Sequence, residues 1–180
     1  KKRFMALITS LKKKNNNPNS IEKQIVKAEN LVKNINNKVR PLRNFIRFDD
    51  DIHDAVNHWC NDISDNKIES IRKYGHITHW DTSRVTDMSK LFRNQINFNQ
   101  DIGHWDVSNV TNMESMFFDA NNFNQDISGW NVSNVTDMSF MFNNATSFNH
   151  DIGSWNVTKV TYMHCMFDNA TSFNQDINTK

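Results

Sequence analysis

The 180-residue chain is short of glycine, cysteine, proline and long apolar runs. Its four glycines, Gly75, Gly103, Gly129 and Gly153, stand singly. That excludes a glycine-rich phosphate loop, which needs clustered glycines to bring backbone amides onto a phosphate. Two cysteines, Cys60 and Cys165, are too few for a disulfide framework. Pro18 and Pro41 punctuate helices near the amino-terminal end. No apolar run approaches the length of a membrane span. No serine sits in a nucleophile-elbow motif. No catalytic residue, cofactor or small-molecule substrate is therefore expected.

The net charge of +1 hides a division. Residues 1–48 hold 13 Lys/Arg against 2 Asp/Glu, whereas residues 49–180 hold 8 against 18. Oppositely charged halves argue for two functional parts.

What is abundant is repetition. One 25-residue pattern occurs four times without insertion, at 77–101, 102–126, 127–151 and 152–176, and a fifth copy starts over 177–180. Trp80, Trp105, Trp130 and Trp155 fall in step, as do Met88, Met113, Met138 and Met163. So do Phe92, Phe117, Phe142 and Phe167, and Phe98, Phe123, Phe148 and Phe173. A fixed period of this size marks stacked supersecondary units. One copy offers about eight apolar side chains, each contributing roughly 1.5–3 kcal/mol on burial. Ordering its backbone costs about 1–2 kcal/mol per residue. A lone copy loses that contest, and stacked copies share faces and hydrogen bonds.

The spacing Ile127-x-x-Trp130-x-Val132 predicts a short parallel strand, and Thr136–Phe142 a short helix capped by Thr136. The expected fold is an α/β solenoid, a leucine-rich-repeat-like stack of four strand-helix coils. Residues 49–76 are read as a helical cap. Asp50 or Asp51 caps a helix carrying Ile52, Val56, Trp59 and Cys60; a second, through Ile68, Ile71 and Tyr74, stops at Gly75. Residues 1–48 are read as a basic helical arm. Its segment Ile21, Ile25, Ala28, Val32, Ile35 and Val39 follows a heptad seam that packs on the chain's own body or pairs with another subunit. Lysine-rich arms bind phosphates or acidic surfaces. With few aromatics and no nucleic-acid fold signature, this one is assigned to acidic protein surfaces ahead of nucleic acid. Phe4–Leu11 lies between lysine clusters without a small-residue cleavage site, so no signal peptide is visible.

Several polar clusters offer candidate sites. The recurring Phe-Asn-Gln/His-Asp segment, as at Phe98–Asp101, offers oxygens for a calcium ladder; turns satisfied by Asn and Asp side chains are the favoured reading. His76, His79 and His104 lack further zinc ligands at fitting spacing, and Cys165 beside His164 lacks an acid partner, so no metal site is expected. Six Asn-x-Ser/Thr sequons, such as Asn109 and Asn134, recur because the repeat does. Letters that vary between copies should face solvent. Among them Phe118, Phe140 and Tyr162 are aromatic where neighbouring copies are polar, which makes them the candidate interaction face.

The run Trp130-Asn131-Val132-Ser133-Asn134-Val135-Thr136-Asp137-Met138-Ser139, continued by Met141-Phe142 and Phe148-Asn149, resembles the BspA-like leucine-rich repeat. That repeat is found in surface proteins of mycoplasmas and other bacteria, in protists and in large DNA viruses. The resemblance implies a solenoid, surface display and protein contacts, with no catalytic activity. The charge division and the unfinished fifth copy turn the expectation toward a structural protein of a larger assembly, such as a minor capsid or virion component. A cell-surface adhesin fragment is the alternative.

Overall fold

In a computed structural model the chain divides into two compact units, 1–43 and 44–180. The structure describes residues 45–63 and 67–177. The arm, its seam Ile21–Val39 and the last residues of the fifth copy lie outside them. The second unit starts at Asn44, not at Asp49. Phe45–Phe48, assigned by charge to the arm, thus belong with the cap.

The cap begins with strand β1, Phe45–Ile46. Helix α1, Ile52–Asn61, follows. Its buried residues Ile52, Ala55, Val56 and Trp59 recur at helical spacing along one face. Asp51 is its N-cap residue, but the carboxylate turns back to accept from the Phe48 amide and to pair with Arg47. Helix α2, Ile68–Tyr74, packs against α1 through Ser70 and Tyr74. Of the residues expected along it, Tyr74 is buried and Ile68 and Ile71 are exposed. Gly75 ends α2 at φ 77°, and a Cβ there would run into the Phe45 ring. A 3₁₀ turn, Ile77–His79, leads into strand β2, Trp80–Asp81, which pairs in parallel with β1.

From here the four copies stack along one direction. In each of the first three copies alternate amides leave for the next copy. Met113, Ser115, Phe117 and Asp119 donate to the carbonyls of Asp137, Ser139, Met141 and Asn143 at 2.8–2.9 Å. The amides between them close turns within the copy, as Met116 to Met113 and Phe118 to Ser115. On the other side Thr111 donates to Thr86, Thr136 to Thr111 and Thr161 to Thr136, each at 2.8 Å.

This pattern corrects the expected elements. Neither the strand over Ile127–Val132 nor the helix over Thr136–Phe142 forms. Ile127–Trp130 and Val132–Val135 are instead two turns. The helix fails because each copy holds two left-handed residues: Lys90 and Asn94, Ser115 and Asp119, Phe140 and Asn144, Cys165 and Asn169, at φ 52–62°. A left-handed residue costs about 1–2 kcal/mol without glycine. In the first three copies the left-handed residue's own amide points outward, as Ser115 to the Ser139 carbonyl and Asp119 to the Asn143 carbonyl, while the next amide closes a turn within the copy; the inter-copy bonds offset the cost.

The core is built from the in-step letters. Phe92, Phe117, Phe142 and Phe167 stack with ring centroids 5.4–5.6 Å apart. Phe98, Phe123, Phe148 and Phe173 form a second column at 5.9–6.0 Å. Within a copy the two rings lie face to face, Phe117 to Phe123 at 3.9 Å. The indole N–H of each Trp reaches one copy back: Trp105 to Ile77, Trp130 to Ile102 and Trp155 to Ile127, all at 3.3 Å to carbonyl oxygens. Trp80 makes the same bond to the Gly75 carbonyl of the cap.

Candidate interaction face

The turns that follow Met88, Met113, Met138 and Met163 carry most of the letters that differ between copies. Their frame is fixed by the outward amides, so side chains in successive copies stand one above the next.

Not all of these letters face solvent as expected. Ser115, Ser139 and Asn143 are buried. Two of them tie copies together: Ser139 Oγ lies 3.1 Å from His164 Nδ1, and Asn143 donates weakly to Asp168 at 3.4 Å, whereas the Ser115 hydroxyl meets Glu114 of its own copy. A column read as solvent-facing is likewise a ladder. Asn109 and Asn134 donate to the carbonyls of Ser83 and Ser108, and Lys159 to Asn134 Oδ1.

The structure places the three candidate aromatics in three different copies and gives each its own surroundings. Phe118 is half-buried beneath the Arg93 guanidinium, 4.3 Å from its ring centre, a cation–π contact. Phe140 is left-handed and half-buried, and His164 meets it edge-on at 4.8 Å. Tyr162 is 57% exposed. No ring contact joins the three to one another among the described residues. At Asp87, Asn112 and Asp137 a side-chain oxygen accepts from the amide two residues on. Tyr162 occupies that position in the fourth copy and cannot do so.

The polar clusters resolve into structural bonds. Asn99 Oδ1 accepts the Asn124 amide, Asn124 Oδ1 that of Asn149, and Asn149 Oδ1 that of Asn174, at 2.9–3.0 Å. Asp101, Asp126 and Asp151 accept from the amides two residues later. Hydrogen bonds from the hydroxyl and amide of Ser128 hold the Asp126 carboxyl below the usual carboxylate range. His76 and His79 lie ring to ring at 5.8 Å, and burial, with His79 beside it, pulls His76 down. Among the described residues no group of three or more His, Cys, Asp or Glu is placed to hold a metal ion. Burial pushes the Cys60 thiol up to about 11, which leaves it protonated and a poor nucleophile at neutral pH.

Sequence reasoning missed the groups that close the first copy. Asp49 accepts the amides of Thr86 and Asp87 and the Thr86 hydroxyl, at 2.6–3.1 Å. Burial opposes its charge, yet these bonds hold its carboxyl below the ordinary range. His53 Nε2 lies 2.8 Å from the Ser89 carbonyl. Arg47 is buried, with its guanidinium 5.1–5.7 Å from the ring centres of Phe45, Tyr74 and Trp80 and its charge paired with Asp51 at 2.7 Å. The signal available was the charge pattern Arg47-x-Asp49-x-Asp51 just before an apolar helix.

Among the described residues no helix is long and apolar enough to cross a membrane. Neither curated proteins nor solved structures show a match to the chain. A family match covers residues 60–180, two-thirds of the chain, from the end of α1 through all four copies. The chain belongs to that family, described as "Mycoplasma protein of unknown function, DUF285".

Proposed function

We propose that the chain is a non-enzymatic structural protein that works by binding other proteins, as a minor capsid or virion component of a larger assembly. Its repeat array is read as a leucine-rich-repeat-like solenoid of the BspA type, with the turn-rich face and the basic arm as contact surfaces. The carrying observation is that side chains which differ from copy to copy ride on a frame fixed by inter-copy bonds, such as Phe117 to Met141 and Asp119 to Asn143. A rigid, regular scaffold with variable side chains suits recognition without chemistry. The charge division between residues 1–48 and 49–180 supports assembly with oppositely charged neighbours.

Light scattering on the whole chain and on a chain starting at Asn44 tests this. Association of the whole chain alone makes the arm the assembly device. Monomers in both cases, together with no binding to the other proteins of the source particle, overturn the reading.

A cell-surface adhesin or host-interaction fragment is the second reading. It is favoured by the exposed Tyr162 and by the mycoplasma attribution of the family. Binding to host cells that is lost in Tyr162→Ala supports it over the first.

A further inference from the structure

The cap covers only part of the first copy's leading edge. Arg47, Asp49 and His53 serve the stretch from Asp81 to Ser89. Beyond it, Asn94–Phe98 and Gln100 of the next loop, with the end of α1 at Trp59–Asn61 and Lys67, line a cavity of about 340 Å³, and Asn99 stands beside it.

The same loop in later copies shows what the edge is made to hold. The Asn122 and Ser147 amides donate one copy back, to the carbonyls of Ile96 and Asn121 at 3.0 Å. The Asn124, Asn149 and Asn174 amides donate to the preceding asparagine Oδ1. Gln125 and Gln175 Nε2 reach the carbonyl and Oδ1 of the preceding asparagine at 2.8–3.2 Å. The matching donors of the first copy are the amides of Asn97 and Asn99 and the side chain of Gln100. All three residues are exposed, and none of these donors meets an acceptor among the described residues.

The first copy also departs from the pattern at this place. Gln95 stands where later copies bury Ala120, Ala145 and Ala170, and Ile96 beside it is 55% exposed. A buried methyl is replaced by a longer amide at the one loop that faces the cavity.

We propose that this cavity is a binding site for an extended peptide bearing an asparagine. The peptide adds as the missing edge: its main-chain carbonyl and asparagine Oδ1 accept from Asn97 N, Asn99 N and Gln100 Nε2. This is strand addition to an open edge, with main-chain bonds supplying affinity and one side chain the specificity. Each bond displaces water, so the net gain per bond is small and binding is weak and reversible. The site is separate from the turn-rich face and does not rest on the assembly reading.

The test is a titration of the ¹⁵N-labelled whole chain with an acetylated, amidated peptide of the sequence of residues 171–176, which carries the Phe-Asn pair, followed by two-dimensional NMR. The expected result is saturable shifts of the Asn97 and Asn99 amides and the Gln100 side chain. The Asn124 and Asn149 amides, already bonded, stay still. A peptide with leucine for its asparagine binds more weakly, and Gln100→Ala, an exposed change, weakens binding about fivefold. Absence of saturable shifts, shifts centred elsewhere, or equal affinity in Gln100→Ala overturns the proposal.

Discussion

Between the second and third copies the Thr136 amide donates to the Thr111 carbonyl; between the cap and the first copy the Thr86 amide donates to the Asp49 carboxylate. A preceding copy supplies an amide, as Lys90 to the Glu114 carbonyl, where the cap supplies His53 Nε2 at the Ser89 carbonyl. The Trp80 indole finds the Gly75 carbonyl where later indoles find an isoleucine carbonyl. The cap shares no sequence pattern with a copy, yet it presents hydrogen-bonding groups of the same kind at the same edge. An edge specifies donors and acceptors in space, and side chains of a helical cap meet that demand as backbone does.

The comparison breaks most sharply in the array. Phe117 is fully buried, stacked on Phe92, Phe123 and Phe142. Phe117→Ala is expected to cost about 3–5 kcal/mol by urea denaturation, from lost transfer energy plus the cavity. A loss below about 1 kcal/mol would mean that the ring columns do not hold the copies together.

The cap comes next. Arg47→Ala removes a buried guanidinium among three rings and leaves Asp51 without its ion pair. An expected loss of about 2 kcal/mol reflects a half-exposed partner, less than a fully buried pair would give. Gly75→Ala meets both a positive φ and the Phe45 ring, and should lower stability by about 1–3 kcal/mol. If either variant left the melting temperature unchanged, the cap would contribute no more than shielding.

Asp49→Asn isolates the charge within the cap, with an expected loss of about 1 kcal/mol at neutral pH, as for a helix N-cap. Its carboxyl is depressed in the folded chain, so its contribution is full above the ordinary carboxylate range and fades as pH falls through the folded value. Melting curves of the two proteins should converge only as pH falls below that folded value, beneath the ordinary carboxylate range. A constant gap down to acid would assign the effect to shape.

The smallest effect has the opposite sign. Lys90 is exposed and left-handed, and its side chain pairs with the half-buried Glu114 at 3.1 Å. Lys90→Gly should raise stability by about 0.5 kcal/mol, since relief of the backbone conformation exceeds the loss of a surface pair. A decrease would show that the pair or the side-chain stem matters more than the turn.

The stacked letters were legible because hydrophobic periodicity reports burial directly. Trp80 to Trp155 and the two phenylalanine columns need no tertiary information to be seen. The local elements were misread for a reason of the same kind. Thr136–Phe142 carries helical spacing of apolar residues, but the left-handed turn at Phe140 and Asn144 is set by partners 24 residues away, which local propensity does not contain. Equally invisible was the burial of Ser115, Ser139 and Asn143: variation between copies points to solvent, whereas these three are buried. For the candidate face, Phe118, Phe140 and Tyr162 were found by contrast with their neighbours, but Arg93 over Phe118 and His164 against Phe140 depend on side chains one copy away.

The alternation of inward and outward amides has an evolutionary consequence. Removing one residue from a turn such as Met113–Asp119 would exchange the two sets, so every donor downstream would face its own copy and the neighbouring carbonyls would lose their partners. Point substitutions at the rim leave this alternation in place, whereas a change of length inside a copy breaks it. Lineages that build such chains should therefore lengthen or shorten them by duplicating or deleting whole in-frame units, and genes that encode them should differ in copy number far more readily than in the length of any one copy.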